Sequence, residues 1–282
     1  MEMRGIMGGL YRVMEWIMRL SVINVLWVLC ASPIFVGILL TLAAAGQMDD
    51  AVKVADLFRI LALYCGVLAP FLFFPATAAM FTVARKWVMG EVDAPLIKTF
   101  FRGYKENYLQ SMIGGLFFVL LGTITYLNFQ FYLKQSGALS MLSFLFIVFA
   151  FVIAAAFVQF FSIMVHFHMK FWQIIKNSFL VSIGNPGMTL FLFASNILIV
   201  YVCTRFEFLI VFFMGSLMAL ASFWNFFRIY DKMKTINDKK KEELLEASKS
   251  EGQADDAVVA AESVDGEQAP NSQMQSKSKR GK

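Results

Sequence analysis

Charge is what this chain has little of. Only 16% of its 282 residues are Asp, Glu, Lys or Arg, where a soluble domain carries roughly a quarter. That leaves too little polar surface for a fold that lives in water. Cysteine is scarce too. Cys30, Cys65 and Cys203 lie far apart, within or at the edge of apolar runs, and make no CxxC pair, so they read as small buried hydrophobes rather than a disulfide framework. The histidines are His166 and His168; an i, i+2 spacing does not share a helical face, and no third ligand stands nearby, so no metal site is expected. Phosphate-binding loops and the HExxH and GxSxG patterns are missing. No catalytic residue and no cofactor is therefore assigned. A basic face interleaved with exposed aromatics on a soluble fold is absent as well, which removes nucleic acid as a partner.

What is present is apolar. The chain is 59% hydrophobic with 31 Phe and 17 Met, its mean hydropathy is +0.64, and apolar runs of about 20 residues recur along it. The expected fold class is all-α: a polytopic membrane helical bundle of about six transmembrane helices, with cytoplasmic amphipathic segments and a disordered C-terminal tail. Residues 1–19 form an N-terminal amphipathic segment, with Arg4, Arg12, Glu15 and Arg19 on one face and Ile6, Leu10, Val13 and Ile17 on the other. Such a segment suits the headgroup layer, and a plain N-terminal start to the first span fits equally well. The membrane domain covers 20–230, with spans at about 20–45, 57–84, 109–131, 138–166, 188–203 and 208–227. A charged, mostly disordered tail covers 231–282, with a short charged helix reaching about Ser248.

The second span draws attention by its length. Twenty-eight apolar residues would rise roughly 42 Å against a hydrocarbon core of about 30 Å, so the helix must bend or tilt. Pro70 and Pro75 are assigned as the structural hinge, each lacking a backbone donor, and Ala76, Ala78 and Ala79 allow close packing beside it. Trp16, Arg85, Lys86, Trp87 and Trp172 are assigned as interface anchors. Few ionisable groups lie deep in the spans, which disfavours a proton-coupled transporter. The interior polar residues, Asn24, Thr77, Asn128, Gln159, Ser195, Asn196 and Asn225, read mainly as interhelical hydrogen-bonding groups. Thr77, Gln159 and Asn196 are the candidates for binding an uncharged ligand such as a sugar.

Cations gather on alternate loops: Arg4, Arg12 and Arg19, then Arg85, Lys86, Lys98, Arg102 and Lys105, then Lys170 and Lys176, then the tail. Lys53, Arg59, Lys134 and Arg205 fall to the other side. The positive-inside rule places both termini in the cytoplasm of a cell-membrane protein, facing anionic headgroups. Ile97-Lys98-Thr99-Phe100-Phe101 and Ile175-Lys176-Asn177-Ser178-Phe179 are alike and each precedes an outward helix, as a parallel repeat of hairpins would require; five positions do not decide it.

The Phe74-Pro75-Ala76-Thr77 element, Arg85-Lys86-Trp87, the Tyr11–Trp16–Arg19 helix, Lys176-Asn177-Ser178-Phe179 and Asn185-Pro186 together resemble the YesL-like family of bacterial membrane proteins over about residues 5–230. The order of elements carries the resemblance. It implies a link to carbohydrate uptake and glycan degradation in Gram-positive bacteria, and it supplies no catalytic residues. The expected role is a non-enzymatic accessory or regulatory component associated with carbohydrate uptake, with sugar importer subunits as partners. The alternative is a transporter or permease for an uncharged solute, although the loops lack the Glu-Ala-Ala docking signature of ATPase-coupled permeases. The sequence leaves the oligomeric state open.

Overall fold

A computed structural model describes residues 6–265. Among them the regular elements are all helical, and the chain divides into two units, Met1–Ile229 and Tyr230–Lys282. Five helical stretches are long and apolar enough to cross a membrane: Gly8–Cys30, Leu96–Leu133, Leu139–His166, Pro186–Arg205 and Glu207–Leu245. A bent pair, Ala51–Leu68 with Phe73–Val88, makes a sixth if it counts as one span. The chain is a multi-pass membrane protein.

The first expected span is redrawn. Helix α1, Ile6–Cys30, takes in the amphipathic segment and the first part of the span in one piece. It stops at Ala31, and α2, Ser32–Ala45, begins with Pro33 in its first turn. Proline tolerates a first turn, where its missing N–H would be unpaired anyway, and obstructs a helix that tries to run through it. Arg4 lies outside the described residues.

The second span starts earlier than its apolar run. Asp50 caps α3, Ala51–Leu68, its carboxylate accepting from the backbone N–H of Val52 at 2.9 Å. Helix α4, Phe73–Val88, follows a break of four residues, and the two helices meet at 60°. Pro70 sits in that break. Pro75 lies one turn beyond it, as the third residue of α4, where its missing N–H costs nothing and its ring opposes a helical carbonyl at Phe71 inside the break. The chain is reconnected across the break by the Phe74 N–H, which donates to the Ala69 carbonyl at 2.9 Å.

Helix α4 is the axis of the bundle. Phe74, Ala76, Ala78, Ala79, Met80, Phe81, Val83, Ala84 and Trp87 are all buried along it. Its neighbour α5, Leu96–Leu133, fuses the expected cytoplasmic segment and the third span into one 38-residue helix. Glycines bring the two together: a Cβ on Gly115 would lie 1.7 Å from the Phe74 ring, and one on Gly103 would lie 2.6 Å from the Thr82 hydroxyl. A short 3₁₀ turn leads to α6, Leu142–His166, which returns antiparallel to α5. Phe160 packs where a Cβ on Gly114 would be, at 2.1 Å. Phe74, Phe81, Phe118, Phe157, Phe160 and Phe161 fill the space among the three helices with edge-on and tilted ring contacts.

Helix α7, Phe171–Gly184, lies against α6 through buried Ile174, Ile175, Ser178 and Ser182. Asn185 breaks the chain and Pro186 opens α8, Pro186–Arg205, whose 20 residues make a full-length span where a short one was expected. After a single turn at Glu207–Leu209, residues Ile210–Met214 are π-helical and lead into α9, Gly215–Asp265. Disorder was expected beyond Ser248, but the helix continues to Asp265. Its Ala-, Glu- and Lys-rich sequence has good intrinsic helix propensity. The rest of the expected disordered tail, 266–282, lies outside the described residues.

Candidate functional site

The interior polar residues are mostly committed to holding helices together. Asn24, on α1, is fully buried. Its Nδ2 donates to the carbonyl of Val211 at 2.6 Å and reaches that of Ile210 at 3.3 Å, while its Oδ1 accepts from the Ser216 N–H at 2.9 Å. A π-helical turn leaves backbone groups without regular partners, and one asparagine serves three of them. Thr77 accepts from the Trp27 indole N–H at 3.1 Å and donates to the Phe73 carbonyl at 2.7 Å. Asn196 donates to the Leu192 carbonyl and pairs with Ser222 at 3.2 Å. Asn225 donates to the Met188 carbonyl at 3.0 Å. Gln159 differs: it is 0% exposed, and neither atom of its amide has a hydrogen-bond partner among the described residues. Thr77, Gln159 and Asn196 stand on α4, α6 and α8, and none of them lines either of the two cavities described below.

The residues assigned as interface anchors fare differently. Trp172 is 69% exposed and suits the role. Trp87 is 5% exposed and meets Trp16 edge-on at 5.4 Å; the pair closes α1 onto α4 instead of facing headgroups. Tryptophan at a span end packs inward or outward depending on what the neighbouring helix presents, and sequence position does not settle which. Lys86 pairs with Glu91 in the turn beyond α4. Arg85 donates to the carbonyl of Val165 at 2.6 Å, covering an orphan carbonyl at the C-terminus of α6. Arg19 is a residue that the helical pattern hid. It looks like part of a solvent-facing basic stripe, yet it is buried, bonded to Glu15 and the Val92 carbonyl, and 3.4 Å from Asp93. It ties α1 to the turn between α4 and α5.

Two cavities stand out. An apolar one of about 510 Å³ opens between α5 and α6, walled by Phe118, Gly122, Phe129, Phe146 and Phe157 with Phe74 behind. The other, about 910 Å³, is polar and lies where the end of α4, the start of α5 and the α6–α7 corner converge. Arg85 and Lys86 enter it from α4, Lys98, Arg102 and Glu106 from one stripe of α5, and His168 from the corner. Four cations against one carboxylate give it a positive balance. Glu106 holds Arg102 at 2.8 Å and Glu91 holds Lys86. Lys98 has no ion-pair partner among the described residues, and the Nε of Arg85 is buried with no acceptor. The hydrogen bond from Lys86, with its charge, holds the Glu91 carboxyl below the ordinary value of 4.5. No group of three or more metal-ligating side chains occurs among the described residues.

A family profile described as "Protein of unknown function, DUF624" matches residues 20–129. YteU of Bacillus subtilis (strain 168) is 29% identical over 78% of this chain and 84% of its own. YesL of the same organism is 28% identical over 83% of this chain and 95% of its own. YesV is 36% identical over 33% of this chain and 45% of its own. All three are described as uncharacterized proteins. No solved structure matches the chain.

Proposed function

We propose that this chain, which is similar to YesL and YteU, is a non-enzymatic accessory or regulatory component associated with carbohydrate uptake. It sits in the cell membrane with both termini in the cytoplasm. The cation-lined cavity then opens on the cytoplasmic side, where the positive-inside rule puts Arg85, Lys86, Lys98 and Arg102, and its rim faces anionic headgroups and importer subunits. One observation carries the reading: Asn24, Thr77 and Asn196 are occupied with joining helices. That is the behaviour of a scaffold, and a solute pathway needs polar groups left free to meet solute.

Purification of the tagged chain in mild detergent, with identification of what accompanies it, tests the role. Stoichiometric recovery of sugar-importer permease or ATPase subunits is the expected result. A second reading, a permease for an uncharged solute, draws on Gln159, whose buried amide has no partner among the described residues. It predicts that the purified chain alone moves labelled sugar into proteoliposomes, which would overturn the accessory role.

A further inference from the structure

The polar cavity has the makings of an anion site, and the reasons are independent of the role proposed above. Its walls bring together cations from separate parts of the chain: Arg85 and Lys86 near the end of α4, Lys98 and Arg102 one turn apart on α5. Two carboxylates, Glu91 and Glu106, already engage Lys86 and Arg102. They leave Lys98 without an ion pair among the described residues and Arg85 with only a carbonyl, at 2.6 Å, for its guanidinium. The Nε of Arg85 remains buried with no acceptor. That atom has no surface open to the cavity, so the charge an anion would meet there is that of Lys98, which is exposed and makes no ion pair among the described residues.

The helix ends around the cavity favour the same sign. Pro95, Lys98 and Thr99, at the start of α5, line it, so the positive end of that helix stands at its wall. The first-turn N–H groups of a helix carry partial positive charge. The negative ends nearby are covered: Arg85 caps the Val165 carbonyl of α6, and the N–H groups of Met89 and Gly90 close the last turn of α4 on the carbonyls of Arg85 and Trp87.

We propose that this cavity binds a phosphate group, with Arg85, Lys98 and Arg102 as its cationic ligands. Phosphate spreads its charge over several oxygens and accepts from several donors at once, which suits guanidinium and ammonium groups converging from two helices. A volume of about 910 Å³ is far more than a bare anion needs, so the phosphate is one end of a larger molecule. That molecule is either an anionic phospholipid presenting its headgroup or a soluble phosphate ester.

The test uses the full chain. In mild detergent, inorganic phosphate is titrated while thermal unfolding is followed. In parallel, the chain is placed in nanodiscs of phosphatidylglycerol and phosphatidylcholine in equal amounts, or of phosphatidylcholine alone, and retained lipid is read by native mass spectrometry. Stabilisation by phosphate points to a soluble ester, and selective retention of phosphatidylglycerol points to a headgroup. Either must weaken about tenfold in K98Q/R102Q and stay unchanged in K134Q, which alters a cation on the α5–α6 connection. Should the double variant fold poorly, K98Q alone serves, since Lys98 is exposed and makes no ion pair among the described residues. Binding of neither probe, or binding equal in wild type, K98Q and K134Q, overturns the proposal.

Discussion

Asn24 shows how much one side chain carries in this bundle. It supplies hydrogen bonds to two carbonyls of the π-helical turn and accepts from Ser216, so Asn24→Leu strands three backbone groups at once. The expected loss is about 1–3 kcal/mol, read as a lower melting temperature in detergent; an unchanged melting temperature would show that the turn is held by something else. Gln159 predicts the opposite sign. Its amide is buried and has no partner among the described residues, and Gln159→Leu keeps nearly the same volume while removing the unsatisfied atoms. It should raise stability by about 1 kcal/mol without lowering recovery of partners. Sequence spacing placed both residues inside spans and did not separate them, because their partners, or the lack of them, lie on other helices. Arg19 makes the same point: its contacts with Val92 and Asp93 are more than seventy positions away, and a helical-wheel argument sees only Glu15.

At the scale of elements, glycines govern how α5 meets its neighbours. Gly115→Ala would drive a Cβ to 1.7 Å from Phe74, and Gly114→Ala one to 2.1 Å from Phe160, while a Cβ on Gly122 meets nothing within 4 Å. The first two should each cost about 1–3 kcal/mol through overpacking. Gly122→Ala should be neutral or stabilise by up to about 1 kcal/mol through helix propensity; thermal unfolding of the three variants side by side checks the order. The turn between α4 and α5 has a pH signature. Glu91 titrates below its ordinary value in the folded chain because Lys86 bonds it. Its contribution is therefore present above its unfolded pKa and disappears as pH falls through the lower folded value. Protection of the amides in residues 89–94, taken relative to their intrinsic exchange rates, should fall in that acidic window, and Glu91→Gln should remove that pH dependence. Much of the element order was legible: apolar runs located the spans, Pro70 located a break, and Asn185-Pro186 marked the start of α8. The merging of residues 6–30 into one helix was one of two readings left open, and the stop at Ala31 has its signal in Pro33, but the apolar run that crosses it read as a single span. The cations of the polar cavity were visible individually as topology markers, but their convergence depends on α4, α5 and the α6–α7 corner meeting in space.

For the whole molecule, the orientation proposed above is open to a direct check. Cytoplasmic reporter activity fused at Asp50 or Lys134 would contradict it, and activity at Glu91 is the expected result. The two breaks in the first half bear on how this body deforms. Trp27 contacts both Phe35, just past the stop at Ala31, and Phe73, just past the bend at 69–72, so the outgoing and returning chains change direction side by side. Beyond them, the Tyr64 hydroxyl donates to the Pro33 carbonyl at 2.8 Å, and the Tyr64 ring lies where a Cβ on Gly37 would be. Helices α2 and α3 are thus clipped to each other, while Ile34 is the buried residue of α2 and α3 has none. The α2–α3 hairpin is therefore held to the bundle at one place, where its two breaks lie side by side, and a load on the hairpin reaches α1 and α4 together.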